Sequence, residues 1–173
     1  MDIARQYCQE VEFELYTKKH LAIGFKNNSG GYELRNHYFK GSSTPKDPRL
    51  ILQNDSTDII VFEGFFSFLS FQSIQQTAIK NTIDLPIMQT NILVLNSLSF
   101  FEKCRQQMEE YNNIHLFLDR DKIGMKRTEE ALQWSGKYID QSLCYKKYKD
   151  LNDCLIDFQR QDQKLTHRKG MHL

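Results

Sequence analysis

The chain has 173 residues, 23 Lys and Arg against 22 Asp and Glu, and a formal net charge of +1, so no global field draws it to nucleic acid, and its length suits one core with a small annex. An apolar fraction of 40% and a charged fraction of 26% are ordinary for a soluble globular protein. Cys8, Cys104, Cys144 and Cys154 are scattered without a CxxC pair, which argues against a disulfide framework or a zinc site. No apolar run approaches the roughly 20 residues that span a bilayer, and Met1-Asp2-Ile3-Ala4-Arg5 lacks a signal-peptide pattern. The expectation is a cytoplasmic protein without a membrane partner.

Residues 1 to about 10 have the spacing of a short helix. Val11-Glu12-Phe13-Glu14-Leu15-Tyr16 alternates strictly and predicts a strand, Lys18-Lys19-His20 a turn, and Leu21-Ala22-Ile23-Gly24-Phe25 a second strand. Asn27-Asn28-Ser29-Gly30-Gly31 is a turn, because Asn and Gly tolerate positive φ, and Tyr32-Glu33-Leu34-Arg35 resumes the alternation. The first 40 residues thus predict a small antiparallel sheet, followed by a loop from Gly41 to Pro48. From about residue 57 the rhythm becomes strand, helix, strand, helix. Strands are expected at Ile59 to Phe62, Asn91 to Leu95, Ile114 to Leu118 and Tyr138 to Asp140. Helices are expected at Phe66 to Thr77, Leu98 to Tyr111, Gly124 to Trp134 and Asp150 to Gln159, with a frayed end from about Gln161. Such alternation calls for a parallel sheet covered by helices on both faces. Three units are expected: a β-rich segment over 1–50, an α/β domain over 57–155 and a polar tail over 156–173. The tail is mildly basic, which is the composition of a solvated end.

Chemistry concentrates where two strands end. Leu116-Phe117-Leu118-Asp119-Arg120-Asp121 closes an apolar run with two carboxylates at alternate positions, so both can point the same way. Like charges held that close call for a cation, and Mg²⁺ is the usual oxygen-seeking one. Ile59-Ile60-Val61-Phe62 also ends in an acid, Glu63-Gly64. Acids at the ends of neighbouring parallel strands converge at the carboxyl edge of a sheet, where open α/β folds hold their sites. Taken singly, Asp119 and Asp121 read as turn residues; in order behind Glu63-Gly64 they read as a site for metal-dependent phosphate chemistry. Gly64 would let a phosphate approach the backbone closely. The aromatic cluster Phe65, Phe66, Phe68 and Phe71 reads as core rather than a base-stacking platform.

Val61-Phe62-Glu63-Gly64 followed by Leu118-Asp119-Arg120-Asp121-Lys122-Ile123-Gly124 resembles the Toprim domain, over roughly residues 57 to 155, with its Glu-Gly after the first core strand and Asp-x-Asp after the third. The resemblance implies a Rossmann-like parallel sheet flanked by helices, here with a small N-terminal antiparallel β-rich annex. Three further segments resemble the DnaG-type primase branch. Gly24 to Lys40, continuing by Lys46, is similar to the strand-rich segment that lines the polymerase groove in that family. Leu95-Asn96-Ser97 is similar to the turn after the second Toprim strand. Lys149-Asp150-Leu151-Asn152-Asp153 is similar to a stretch in primase-like proteins of phages and mobile elements.

The resemblance implies Mg²⁺- or Mn²⁺-dependent nucleotidyl transfer that makes RNA primers from NTPs on a single-stranded DNA template. It implies Asp119 and Asp121 as metal ligands, and Glu63 as a further ligand or an acid–base group. Asp150, Asn152 and Asp153 would support the site, although they serve equally well as caps of the terminal helix. Lys26, Arg35, Lys40 and Lys46 would bind phosphate or nucleic acid on the strength of the family; by themselves they read as solvated charges. The pattern departs at Ser67, where the family has an acid, and a zinc-binding module and a helicase are expected outside this chain. Two alternatives remain, a Toprim nuclease that hydrolyses phosphodiesters with the same acids, and a catalytically weakened nucleic-acid-binding module.

Overall fold

The computed structural model describes residues 3–53, 55–77, 83, 85 and 90–170, the last six as backbone only. A short helix α1 (Ile3–Tyr7) leads into four antiparallel strands, β1 (Cys8–Leu15), β2 (Lys18–Lys26), β3 (Tyr32–Arg35) and β4 (Lys40–Ser42), hydrogen-bonded in chain order. The first hairpin turns at Tyr16-Thr17, not at Lys18-Lys19-His20 as the sequence suggests. Both turn residues have positive φ, 49° and 64°, the geometry that matches a two-residue turn to the twist of its strands; without Gly or Asn it carries no sequence signal. The Asn27 turn forms as expected. Asn27 Oδ1 accepts from the N–H of Ser29 and of Gly31, at 3.0 and 2.9 Å, and Gly30 sits at φ 90°.

The second sheet is ordered β5-β7-β6-β8-β9, from β5 (Arg49–Ile51), β6 (Asp58–Phe62), β7 (Asn91–Val94), β8 (Asn113–Phe117) and β9 (Tyr138–Asp140). Four strands are parallel, as the strand–helix rhythm requires; β5 joins antiparallel at the β7 edge. The sheet is therefore mixed, and Arg49–Ile51, at the end of the segment read as the N-terminal unit, belongs to it. Three residues are too few for a period to show, which is why β4 and β5 are silent in the sequence.

Both faces of this sheet are buried, so its strands read as continuous apolar runs. Ile60, Phe62 and Phe117 face α2 (Phe65–Gln75) and α5 (Leu151–Gly170). Ile59, Val61 and Leu116 face the other layer, with Phe101, Met108 and Ala131, supplied by α3 (Arg105–Met108), α4 (Lys122–Trp134) and the turn before α3. The helix expected over Leu98 to Tyr111 is instead a 3₁₀ turn, Leu98–Phe100, then the single-turn α3. Its apolar spacing still works, because Phe101, Cys104 and Met108 all reach the core, held by bonds such as Cys104 N–H to Phe100 O (2.9 Å). The tail expected to fray from Gln161 continues α5 to Gly170, since no helix breaker interrupts it before that glycine; residues 171–173 lie outside the described residues.

The annex docks chiefly through two rings, Phe25 and Tyr7, the latter edge-on to Phe68 at 4.7 Å. Phe25 is fully buried and stacks on Phe65 at 5.2 Å and 5°, with Phe68 tilted at 5.9 Å. The Arg49 guanidinium covers the Phe25 ring at 4.7 Å and donates to the Tyr7 carbonyl at 3.0 Å. Burial of such a ring contributes about 1.5–3 kcal/mol. At the other junction, a Cβ at Gly124 would collide with the Asp119 carbonyl oxygen, so only glycine lets the first turn of α4 close under the strand end. Gly124→Ala is expected to destabilise by about 1–3 kcal/mol, as an overpacked contact does, read as a lower urea midpoint at unchanged slope.

Candidate active site

The site arises where β6 and β8 end side by side. Their parallel register sets Phe62 opposite Phe117, so the residues that follow leave the same edge of the sheet. Glu63 comes directly after β6, and Asp119 follows one buried residue, Leu118, after β8. The Asp119 N–H donates to Glu63 Oε2 at 3.1 Å. Leu118 is fixed from behind by Tyr145, whose hydroxyl donates to its carbonyl at 2.9 Å.

Asp121 is the N-cap of α4. Its Oδ1 accepts from the N–H groups of Ile123 and Gly124, each at 3.0 Å, and so fills the structural role that an Asp after a strand commonly has. Its Oδ2 lies 3.8 Å from Lys149 Nζ, which is also 3.7 Å from Asp119 Oδ2. Between the acids, Arg120 turns away: its guanidinium donates to Ser142 Oγ at 2.7 Å. Its N–H donates to the Lys149 carbonyl at 2.6 Å, which staples the α5 entrance to the acid loop.

A cleft of about 170 Å³ opens beside Glu63 and Asp119. One wall is the annex. Arg35 pairs with Lys40 across β3 and β4, and both line the cleft with Glu33, which shares the Arg35 face of β3. The other wall is Gly64 and the first turn of α2, including the buried Ser67. Gly64 has extended backbone, φ −134° and ψ 158°, and caps α2 without a side-chain bond. A Cβ there would meet no atom within 4 Å, so packing does not demand glycine at that position. Asn96, held at φ 63° after β7, also faces the cleft and donates to the Asp47 carbonyl at 3.0 Å.

The expected site residues divide accordingly. Glu63, Gly64, Asp119, Arg35, Lys40 and Asp150 border the cleft, whereas Asp121, Lys26 and Lys46 do not. Asp150 also caps α5, accepting from Asp153 N–H at 2.8 Å. Asn152 accepts from Ser70 Oγ at 3.2 Å and ties α5 to α2; Asp153 is exposed. Lys149, Glu33 and Asn96 are additions that sequence reasoning missed. Glu33 was legible from its two-residue spacing to Arg35. Lys149 stood inside a recognised stretch, yet nothing local tells that its ammonium reaches the acids.

Charge is strained here. Burial, and then the neighbouring Asp119, push the Glu63 carboxyl up to about 7. Burial and Asp150 push Asp119 up to about 6, against the pull of Lys149. Asp121 goes the other way, held low first by the Gly124 N–H. The Lys149 ammonium is favoured, chiefly by Asp119. Burial raises Glu33 as well, opposed by Lys46, Arg35 and Lys40. Among the described residues no three His, Cys, Asp or Glu side chains converge as a ready metal cage. The donor set nevertheless fits a hard divalent ion: two carboxylate oxygens, from Asp119 and Asp121, already share one cation, the Lys149 ammonium. Mg²⁺ commonly takes one or two carboxylates and completes its shell with water and substrate phosphates.

A family model described as Toprim-like matches residues 60–155. The chain belongs to the Toprim-like family. A second model, described as "Domain of unknown function (DUF8464)", matches residues 1–44. No curated protein matches the chain. Among solved structures it is similar to the primase fragment of the bacteriophage T7 primase-helicase protein, at 19% identity and a TM-score of 0.54, over 91% of this chain and 65% of that one. A second similar chain comes from the structure of bacteriophage T7 lagging-strand DNA polymerase interacting with primase domains of two gp4 subunits bound to an RNA/DNA hybrid and dTTP. There the identity is 17% and the TM-score 0.55, over 95% and 83% of the two chains. This Toprim chain thus shares the fold, annex and parallel sheet together, of those phage structures, and it spans about two thirds of the T7 fragment's length. Among the described residues no helix is long and apolar enough to cross a membrane.

A carboxyl whose folded pKa is raised binds its proton more tightly when folded. Its contribution is complete below the unfolded value near pH 4 and is lost as pH rises through about 6 to 7. The metal-free protein is therefore expected to lose stability over that window. His115, lowered by burial, titrates in the opposite sense, so the measurement is the difference between the natural chain and Glu63→Gln. From pH 5 to pH 8 in chelator, the variant should gain about 2–8 °C in relative Tm; a pH-independent difference would remove the buried-carboxyl account.

Proposed function

We propose that this chain is the nucleotidyl-transfer core of a primase-like protein, extending short RNA primers from NTPs on a single-stranded DNA template. The observation that carries the reading is the two-walled cleft. Hydrolysis needs only the acids, whereas here Arg35 and Lys40 on the annex face Glu63 and Asp119 across one cavity. The shared fold over 91% and 95% of the chain supports it, because the likeness includes the annex as well as the Toprim sheet. A zinc-binding module and a helicase acting with this chain are part of the proposal, the likeness being to the primase fragment of a primase-helicase protein.

In this reading Asp119 and Asp121 hold the divalent ion, through the oxygens that now face Lys149. Bound there, Mg²⁺ or Mn²⁺ supplies charge neutralisation at the phosphoryl oxygens. Glu63, poised at about 7 by burial, takes or returns a proton near the attacking hydroxyl, the range in which a general base is effective. Arg35 and Lys40 bind the triphosphate or the template backbone, and open Gly64 admits a phosphate to the first turn of α2. Ser67, in place of a family acid, removes one charge from the cleft and favours slow turnover by the chain alone.

The test is incorporation of labelled NTPs on a single-stranded template with Mg²⁺ or Mn²⁺. Asp119→Asn with Asp121→Asn should lose about a hundredfold or more, the cost of removing a main electrostatic contribution of roughly 3 kcal/mol. Arg35→Ala with Lys40→Ala should raise KM for NTP or template more than it lowers kcat. Cleavage of nucleic acid that depends on Asp119 would overturn the proposal in favour of a nuclease. Salt-sensitive binding of single strands without either chemistry would leave a binding module.

A further inference from the structure

The acid pair already has a resident cation. Lys149 Nζ bridges Asp119 Oδ2 and Asp121 Oδ2 at 3.7 and 3.8 Å, and the arrangement is built rather than accidental. The Lys149 carbonyl is held at 2.6 Å by the N–H of Arg120, the residue between the two acids. On its other side Asp150 caps the start of α5. The stem therefore begins from backbone stapled to the acid loop, while the side chain keeps 55% of its surface exposed and has room to swing. Asp121 has one oxygen left to offer, because the N–H groups of Ile123 and Gly124 engage Oδ1. The oxygen that faces Lys149 is thus the one that a divalent ion also needs. An ammonium and a divalent ion cannot both stand against the same two oxygens, since they would repel at a few ångströms.

We propose that Lys149 is a competing counter-cation of this site: its ammonium neutralises Asp119 and Asp121 in the metal-free protein and swings out toward solvent when the divalent ion binds. The inference rests on the metal-binding reading of the acids and adds a residue whose removal should strengthen metal binding. Without the exchange, two neighbouring carboxylates would stand uncompensated whenever the ion is away. A half-exposed ion pair is weak enough to be exchanged.

The experiment is titration of the full chain with Mn²⁺, following free Mn²⁺ by electron paramagnetic resonance. Lys149→Met is expected to tighten Mn²⁺ binding by about fivefold, the worth of one partly exposed ion pair. Lys149→Arg keeps the charge and should stay within about twofold of the natural chain. If Lys149→Met binds no more tightly, while Asp119→Asn abolishes binding, the metal site stands and the counter-cation is refuted. Tightening in Lys149→Arg equal to that in Lys149→Met would refute a charge effect. Undiminished Mn²⁺ binding by Asp119→Asn would remove the metal assignment itself, and this inference with it.

Discussion

Glu63 and Asp119 meet because β6 and β8 lie parallel and in register, Phe62 opposite Phe117. That pairing is held from both sides by core: Phe62 and Phe117 pack with Phe71 on one face, and Val61 and Leu116 belong to the cluster on the other. A slip of one residue would turn each strand's apolar set over and carry the acids apart. Here that would exchange two fully packed faces, so the register is strongly specified. Leu95 N–H, just past β7, donates to the Phe62 carbonyl at 2.9 Å, and the third strand end joins the same edge.

Such an edge collects negative charge, and the chain manages each acid differently. Asp121 spends one oxygen on the N-terminus of α4, where backbone N–H groups stabilise its ionised form. Burial pushes Glu63 up to about 7 and Asp119 up to about 6, and the Lys149 ammonium lies 3.7 Å from Asp119 and 3.8 Å from Asp121. A surface built for stability alone has no reason to hold two carboxyls at a desolvation cost.

The cleft exists because the annex is anchored. Phe25, clasped between Phe65 and Arg49, fixes the four-stranded sheet against the start of α2, the helix that begins at Gly64. The β3–β4 hairpin then presents Arg35 and Lys40 to the acids. Packing of Phe25, with Tyr7 edge-on to Phe68, thereby couples the basic wall to the acidic one. The shared fold with the phage structures extends over this junction as well as over the Toprim sheet.

Periodicity by itself determined most of the element types, the order of annex and α/β layers, and the strand-end positions of Glu63, Asp119 and Asp121, because alternation and strand-end position are local properties of the chain. It was blind to β5 and to the Tyr16-Thr17 turn, which are too short or too ordinary in composition to signal. It overextended the helix after Leu98, where apolar spacing is satisfied by a turn and a single helical turn. Tertiary structure alone decided which basic residues face the acids: Arg35 and Lys40 border the cleft, Lys26 and Lys46 do not. It alone brought Lys149 to Asp119 and Asp121 from far along the chain. A charge in a sequence carries no range or direction; the partner it meets is set by how the strands and helices beneath it pack.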